Sequence, residues 1–253
     1  AVRLRIADVL KEEFGTDLVD YTARVSESML ARLHFVVRMK PGMALPVVEH
    51  DGLELRLAQA TRSWEDEFAS ALVDQVGEEE SARLLKVYGD AFPEAYKEDF
   101  PARTGVIDLR HLEGLADSGD VALNLYEPHA AGPGERRFKI YRRGEAISLS
   151  TVLPVLQRMG VEVMDERPYE VETPGTTMWV YDFGLRLDGQ AFELTTLKPR
   201  FQKAFLAAWT GRAEADGFNA LVVAAGLGWR DAMVLRAYAR YLRQTGTAFS
   251  QEY

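Results

Sequence analysis

The fold is decided by residues 33–39, which read LHFVVRM, and by residues 181–187, which read YDFGLRL 148 positions later. In both stretches apolar residues occupy every second position, which is the period of a strand that buries one face. Five side chains are expected in the cores of two sheets: Leu33, Phe35 and Val37 in the first, and Phe183 and Leu185 in the second. The two stretches therefore predict the central strands of two similar sheets.

The similarity between the two stretches extends toward the N-terminus of each. Phe14-Gly15 followed by residues 18–20 (LVD) reappears as Met159-Gly160 followed by residues 163–165 (VMD), at an offset of 145. Each copy therefore reads helix, glycine, strand, turn, strand and a further helix, which indicates an internal repeat. Residues 136–142 alternate ahead of the second copy and predict its leading strand. This β-α-β-β-α order is typical of a ferredoxin-like sheet with helices on one face.

The predicted fold class is α+β, with two ferredoxin-like modules of the βαββαβ type, a helical insert and C-terminal helices. The loop from Pro128 to Glu135, which contains Gly132-Pro133-Gly134, is the expected boundary before the second module. Four regions follow from this. Residues 1–48 form the end part of a first module, which takes a further strand from about residues 121–127, and residues 49–120 form an acidic helical insert. Residues 128–197 form the second module, and residues 198–253 form a helical region.

Charge is unevenly distributed along the chain, whose net charge is −9. Residues 49–120 hold 18 acidic and 7 basic side chains, whereas residues 198–253 hold 8 basic and 4 acidic ones. Opposite charge in two blocks is typical of segments that face each other or another subunit, although solvated helix surfaces are an open alternative. The overall acidic balance disfavours nucleic acid or an anionic membrane as the main partner, because both attract basic surfaces.

Several classes of chemistry are excluded or disfavoured by residue content. The chain has no cysteine, which excludes disulfides, thiolate nucleophiles and cysteine-based metal sites. No apolar run has the length of a membrane span, so a cytoplasmic location is expected. Glycine-rich phosphate-binding motifs are absent, and Gly226-Leu227-Gly228 is predicted to be a turn between helices. The consecutive residues Glu49-His50-Asp51 cannot converge well on one ion. We therefore predict no catalytic residue, metal site or cofactor within this chain.

A row of arginines is the first of two clusters with a candidate role. Arg236, Arg240 and Arg243 recur at helical spacing beside an aromatic stripe formed by Tyr238 and Tyr241. Guanidinium groups in such a row bind carboxylates in bidentate fashion. We expect the helix to bury its aromatic stripe in its own domain and to offer the arginines as an assembly surface, with the acidic segment 49–120 as a complementary partner. A small-molecule site is the alternative.

The second cluster is the turn Arg143-Gly144-Glu145, which follows the leading strand of the second module. In a ferredoxin-like module this turn presents backbone N–H groups at a helix N-terminus, an arrangement suited to a small anion. These three residues are therefore candidate ligand-binding residues. A plain surface turn is the alternative that the sequence leaves open.

Three stretches of the chain resemble the large bacterial NAD-specific glutamate dehydrogenases. They are residues 31–38 (ARLHFVVR); residues 63–66 (SWED) with residues 91–96 (AFPEAY); and a segment that includes residues 218–221 (FNAL), 228–230 (GWR), 235–244 (LRAYARYLRQ) and 249–250 (FS). The resemblance covers essentially the whole chain and is most specific from residue 218 onward. It implies a non-catalytic, N-terminal fragment of such an enzyme, because in that family several ACT-like modules with helical motifs precede the catalytic domain.

The resemblance also implies a function for the parent polypeptide, namely the oxidative deamination of L-glutamate to 2-oxoglutarate and ammonia with NAD as cofactor. The residues that bind glutamate and NAD would then lie outside this chain. ACT modules often bind amino acids at module interfaces, so the resemblance implies an amino-acid effector at Arg143, Gly144 and Glu145. The implied partners are the rest of the same polypeptide and further copies in a homo-oligomer.

Three functions of different classes follow from these observations. The first is a regulatory and assembly segment of a large glutamate dehydrogenase. The second is a free-standing enzyme with its site on the ferredoxin-like sheets. The third is a purely structural oligomerisation module without a ligand. The absence of an acid–base constellation disfavours the second function.

Overall fold

The computed structural model describes residues 2–24, 32–42, 46–115, 121–129, 131–187 and 193–246. The parts of the predicted regions that fall on residues 25–31, 43–45, 116–120, 130, 188–192 and 247–253 lie outside these ranges. The chain divides into two compact units, residues 1–81 and residues 82–253.

The first unit contains helices around a two-stranded antiparallel sheet. Its elements are α1 (Val2–Phe14), β1 (Val19–Arg24), β2 (Arg32–Val37), α2 (His50–Thr61), α3 (Trp64–Val76) and the start of α4 (Glu78–Tyr88). Helix α1 ends at Phe14, and the next residue, Gly15, has a φ of 60° that is readily available only to a residue without a Cβ. The strands pair with Val19 opposite Val37 and Tyr21 opposite Phe35.

The core of the first unit lies between the strands and helices α1 and α2. Ile6, Leu10 and Ala60 are buried there, and Leu33, Phe35 and Val37 pack against them while remaining half-buried. The inward direction predicted for the three β2 side chains is therefore confirmed, and their burial is partial.

Within the helical insert predicted over residues 49–120, a break between α2 and α3 lies at Ser63. The Ser63 hydroxyl accepts a hydrogen bond from the Asp66 backbone N–H at 3.1 Å, and the Asp66 carboxylate accepts one from the Ser63 backbone N–H at 3.2 Å. This reciprocal capping box satisfies backbone donors that a new helix start leaves free, so α3 begins here as a separate helix.

The second unit is built on a four-stranded antiparallel sheet. Its elements after α4 are α5 (Glu94–Asp99), α6 (Ala102–Glu113), β3 (Val121–Tyr126), β4 (Glu135–Arg143), α7 (Leu149–Arg158), β5 (Val161–Thr173), β6 (Thr176–Leu187), α8 (Leu194–Trp209), a 3₁₀ turn (Gly217–Ala220), α9 (Leu221–Ala224) and α10 (Trp229–Gln244). The strand order in the sheet is β3-β4-β6-β5. The α+β class with two small antiparallel sheets is confirmed.

Strand β3 belongs to this second sheet, so the prediction that residues 121–127 complete the first module is wrong. It pairs with β4, with Leu123 opposite Ile140 and Leu125 opposite Phe138. The physical reason is that Leu123 and Leu125 join the same apolar core as the β4 side chains. The loop that begins at Pro128 is consequently the connection of a hairpin and not a domain boundary.

Helices cover both faces of the second sheet, whereas the repeat predicted helices on one face only. On one face, Phe138 and Phe183 pack with Leu156 of α7 and Phe201 of α8 in an apolar core. On the other face, α6 packs against β3 and β4. Strand β4 shows why: four consecutive side chains, Phe138 to Tyr141, are buried, so neither face of this strand is solvated.

Candidate functional site

Asp108 on α6 is a deeply buried charged residue of the second unit, with 1% of its surface exposed. Its Oδ2 accepts a hydrogen bond from the Tyr96 hydroxyl at 2.5 Å, and its Oδ1 accepts one from the Tyr141 hydroxyl at 2.8 Å. The Lys139 ammonium forms an ion pair with the same carboxylate, and the Lys139 side chain is also 1% exposed. Helix α6 and strand β4 are thus joined by a charged pair that water does not reach.

Three aromatic rings also lie close to the Lys139 ammonium. Its Nζ lies 3.7 Å from the centre of the Phe100 ring, 5.5 Å from that of Tyr126 and 5.6 Å from that of Tyr96. Ring faces attract cations, most strongly where the cation has lost its water. The rings and Asp108 together replace the hydration shell of Lys139 and fix its position.

The two tyrosines that donate to Asp108 stay protonated at neutral pH. Burial raises the pKa of both the Tyr96 and the Tyr141 hydroxyls well above its usual value, and the negative charge of Asp108 raises each further. A phenolate here would be desolvated and would face a carboxylate. Both hydroxyls therefore act as hydrogen-bond donors and are unsuited to accept a proton from a substrate.

A second buried carboxylate, Asp182 on β6, lies on the same face of the sheet. Its Oδ2 accepts hydrogen bonds from Arg137 Nε at 2.7 Å and from the Tyr126 hydroxyl at 3.0 Å, whereas its Oδ1 is buried without a hydrogen-bond partner. Burial raises the pKa of Asp182, although the nearby charges of Arg137 and Lys139 oppose this. Tyr126 connects the two clusters, because its ring faces Lys139 and its hydroxyl bonds Asp182.

Arg137 extends the ion pairs from β4 to β5 across the intervening strand β6. Its Nη2 lies 2.8 Å from Asp165 Oδ1, and the residue of β6 between them is Gly184. A Cβ at Gly184 would lie 2.7 Å from Asp165 Oδ2, closer than real contacts allow. The missing side chain therefore leaves the space that the Arg137–Asp165 pair occupies.

The predicted ligand-binding residues Arg143, Gly144 and Glu145 are exposed; Arg143 ends β4, and Gly144 and Glu145 follow it. Gly144 has a φ of 84°, and its N–H donates to the Thr177 carbonyl at 2.8 Å. Helix α7 begins later, at Leu149 with Ser148 as its N-cap, so the turn does not lie at a helix N-terminus as predicted. The amide expected to bind an anion instead continues the sheet.

The predicted arginine row is divided by the structure. Arg236 is 4% exposed and donates to both carboxylate oxygens of Asp216, at 2.7 and 2.8 Å, and to Asn219 Oδ1 at 2.7 Å. Arg240 binds both carboxylate oxygens of Glu214, one of them at 2.8 Å, and Arg243 is exposed. Arg236 and Arg240 therefore form ion pairs with the segment that precedes α10, and the prediction that Arg236 is a surface residue is wrong.

The aromatic stripe of α10 is exposed, which is the reverse of the prediction. Tyr238 is 65% exposed and Tyr241 is 63% exposed, and Val234, Leu235 and Leu242 are exposed beside them. The buried residues of this helix are Ala232 and Arg236. The reason is that Asp216 and Asn219 provide a polar pocket for Arg236, which turns the arginine side of the helix toward the domain.

Four family models match the chain in consecutive order. They describe glutamate dehydrogenase domains: the ACT2 domain over residues 1–65, helical motif 2 over residues 71–115, the ACT3 domain over residues 120–197 and helical motif 3 over residues 213–253. The chain belongs to the large glutamate dehydrogenases. The resemblance drawn from the sequence is thereby confirmed, and the matches fit an N-terminal fragment of such an enzyme.

Curated relatives of the chain carry the name NAD-specific glutamate dehydrogenase. The chain is 38% identical over 258 residues to that of Halomonas elongata, 35% over 253 residues to that of Pseudomonas aeruginosa and 37% over 273 residues to that of Mycobacterium tuberculosis. The alignments cover 99–100% of the chain and 16% of the length of each relative.

The domain matches give the buried clusters a place in the family's architecture. The ACT3 match begins ahead of β3, which agrees with the pairing of β3 in the second sheet. Asp108 lies in helical motif 2, and Lys139, Tyr141 and Asp182 lie in ACT3. The Asp108–Lys139 pair therefore fastens helical motif 2 to one face of the ACT3 sheet.

The NAD that the relatives' name implies does not fit the glycine pair Gly226 and Gly228. These residues follow the short helix α9 and not a strand, unlike the glycines of a dinucleotide-binding turn. The N–H of Gly228 donates to Asp231 Oδ2 at 3.1 Å, so a carboxylate of α10 already occupies the start of the helix where a phosphate would bind. We assign no step of NAD chemistry to these residues.

The described residues offer neither a candidate metal cluster nor a helix that could span a membrane. No cluster of three or more histidine, aspartate and glutamate side chains in this part of the chain could hold a metal ion. None of its helices combines the length and the apolar character needed to cross a membrane.

The Asp108–Lys139 cluster was missed by the sequence reasoning, although signals for it exist. Lys139 stands between Phe138 and Ile140 on a strand buried on both sides, and Asp108 lies one turn from Leu112 on the buried side of α6. A charge at such a position is rare unless it has a partner of opposite sign. The sequence therefore marks each of the two residues as needing a partner of opposite charge, but it does not show which residue that partner is.

Proposed function

We propose that this segment holds and tunes the subunits of a large NAD-dependent glutamate dehydrogenase. The parent enzyme deaminates L-glutamate oxidatively to 2-oxoglutarate and ammonia, and the residues that bind glutamate and NAD lie elsewhere in the polypeptide. The partners of the segment are the rest of that polypeptide and further copies of it in a cytoplasmic homo-oligomer. The sequence predicted the arginine row of α10 as the assembly surface. We propose instead that the exposed apolar face of the same helix is that surface.

The observation that carries the proposal is the exposed apolar stripe on α10. At 100° per residue, Val234, Leu235, Tyr238, Tyr241 and Leu242 fall within about 120° of the helix circumference. An apolar stripe of this width is what a helix normally buries against its core. Contiguous exposed apolar surface marks an interaction site, so this stripe supports a role in assembly.

The buried polar groups of helical motif 2 and ACT3 support assembly over catalysis. Asp108 already accepts from two tyrosines and pairs with Lys139, and Arg137 joins Asp182 to Asp165. A general acid or base must reach a substrate proton directly or through one water. Groups that are buried and engaged with each other are suited to fastening helical motif 2 to ACT3.

The test of assembly replaces two stripe residues in the full-length enzyme, Tyr238→Ser and Tyr241→Ser together. Analytical ultracentrifugation should show a weaker oligomer, because the variant removes most of the aromatic area, while the remaining assembled enzyme keeps its glutamate oxidation rate. The matched control is Ile107→Ser, which changes an apolar side chain of α6 that is 47% exposed. Sedimentation identical to that of the unmodified enzyme would contradict the proposal.

A second measurement separates the regulatory segment from a free-standing enzyme. The purified chain should form no NADH from glutamate and NAD, and glutamate-dependent NADH formation would contradict the proposal. The purely structural alternative predicts that no small molecule raises the thermal midpoint of the chain, since only a ligand that binds the native state stabilises it.

A further inference from the structure

A cleft lies between α10 and the turn that follows α8. Its volume is about 320 Å³, and its apolar wall is formed by Ala213, Met233 and Ala237. Three guanidinium groups also line it, those of Arg212, Arg236 and Arg240, whereas Glu214 is the one acidic residue of the lining. A cleft with a surplus of positive charge and an apolar wall suits a small organic anion.

One wall of the cleft is rigid. Arg236 is held by both oxygens of Asp216, by Asn219 and, at 3.2 Å, by the Glu214 carbonyl. Arg236 therefore serves to position α10 against residues 214–219, and its own donors are largely occupied. A fixed wall of this kind lowers the ordering cost of binding a ligand.

Arg240 and Arg212 are the guanidiniums that a ligand can reach. Arg240 binds Glu214 in bidentate fashion, but the two side chains are 48% and 54% exposed. Exposed ion pairs contribute little to stability, so Glu214 can be displaced. Arg212 lies over the Trp229 ring, with its guanidinium carbon 5.5 Å from the ring centre, which keeps this cation at the cleft.

We propose that this cleft binds a small organic carboxylate, and that Glu214 occupies the position of the ligand's carboxylate in the free protein. The ligand's carboxylate pairs with Arg240 in the geometry that Glu214 now uses, Arg212 supplies a second positive charge, and a short apolar chain contacts Met233 and Ala237. The proposal deepens the regulatory part of the proposed function. The site lies in helical motif 3, apart from the Arg143-Gly144-Glu145 turn of ACT3.

The competition between Glu214 and the ligand provides the decisive test. Isothermal titration calorimetry at constant ionic strength measures the binding of butyrate, glutarate and inorganic phosphate to the chain. Butyrate and glutarate are carboxylates, and phosphate is the oxyanion with which they are compared. We expect a carboxylate to bind more tightly than phosphate. Glu214→Gln should tighten carboxylate binding by roughly fivefold, because it removes the internal competitor, whose exposed pair is worth under about 1 kcal/mol. Arg240→Ala should weaken binding at least tenfold.

The matched control is Glu162→Gln, which changes the net charge equally but breaks the exposed pair with Arg186 on the sheet. It should leave the affinity unchanged. Absence of carboxylate binding, tighter binding of phosphate than of either carboxylate, or equal effects of the two glutamine variants would each overturn the proposal. These outcomes are independent of the sedimentation test of α10, so failure of the cleft and failure of the assembly role are distinguishable.

Discussion

The central strands of the two modules have the same alternation of apolar residues and differ in burial. In ACT3, Phe183 is fully buried and Leu185 is 1% exposed, whereas the corresponding Phe35 and Val37 of β2 are half-buried. Strand β6 lies between β4 and β5 in a sheet with helices on both faces, and β2 pairs with β1 against α1 and α2. Periodicity thus determines which way a side chain points, and the neighbouring elements determine how deeply it is buried.

The largest expected effect concerns the buried Asp108–Lys139 pair on one face of the ACT3 sheet. Lys139→Ala leaves Asp108 buried without its counter-charge, which should lower the free energy of unfolding by about 3–5 kcal/mol. The measurement is urea denaturation followed by near-ultraviolet circular dichroism. Arg186→Ala, which breaks the exposed pair with Glu162, is the control and should cost under about 1 kcal/mol. Similar losses of unfolding free energy in the two variants would show that the buried pair contributes no more to stability than an exposed one.

The difference in burial between the two central strands can be measured directly. Phe183→Ala should lower the free energy of unfolding by about 3–5 kcal/mol, because it leaves a cavity in a closed core. Phe35→Ala should cost about 1–2 kcal/mol, since the ring already contacts solvent and removes less apolar area from water. Equal losses in the same denaturation experiment would break the comparison.

Gly184 and Val36 occupy equivalent positions of the repeat and should respond differently to alanine. Gly184→Ala places a Cβ 2.7 Å from the present position of Asp165 Oδ2 and forces the Arg137–Asp165 pair to shift, at a cost of about 1–3 kcal/mol. Val36 is 41% exposed, and Val36→Ala should change stability by less than about 0.5 kcal/mol. Thermal midpoints of the two variants test this, and a neutral Gly184→Ala would refute the steric argument.

The smallest effect concerns His111 on α6, whose ring stacks on Tyr141 at 4.6 Å. Burial lowers the pKa of His111, so the unfolded chain binds a proton more readily than the folded one. Stability should therefore fall as the pH drops below about 6.5, the ordinary histidine pKa, and the decline should stop below the folded pKa. His111→Phe keeps the stacking and should remove this part of the pH dependence in denaturation curves. If the stability of the variant kept the same pH dependence, groups other than His111 would be its cause.

The sequence predicted the local elements better than their partners. The strand predicted at 136–142 is found at Glu135–Arg143, and the strand predicted at 181–187 lies within β6, because each prediction depends on periodicity within its own stretch. The sheet to which β3 belongs was not predicted correctly, because an alternating strand can pair with any neighbouring strand that shares its core. The burial of Arg236 was also missed, because it depends on contacts with Asp216 and Asn219 that exist only in the folded chain.

The site was the least predictable part for a related reason. Asp108 and Lys139 are 31 positions apart and come from a helix and a strand, so no motif links them. The turn at residues 143–145 resembles an anion site in sequence, yet its Gly144 amide is bonded to Thr177 of the neighbouring strand. In both cases the decisive partner lies on another element, and local sequence carries no record of it.

The position of β3 has a consequence for how the ACT3 module folds. In a βαββαβ module the last strand returns to pair beside the first, which closes a loop through the whole module. Here the equivalent edge strand comes first and pairs with the next strand along the chain, with Leu125 opposite Phe138. The loop-closure entropy of this pairing is that of a hairpin, and contacts between residues close in sequence favour rapid folding. The β3–β4 hairpin can therefore form during synthesis before α7 and the later strands have emerged, and it provides a template onto which β6 is added.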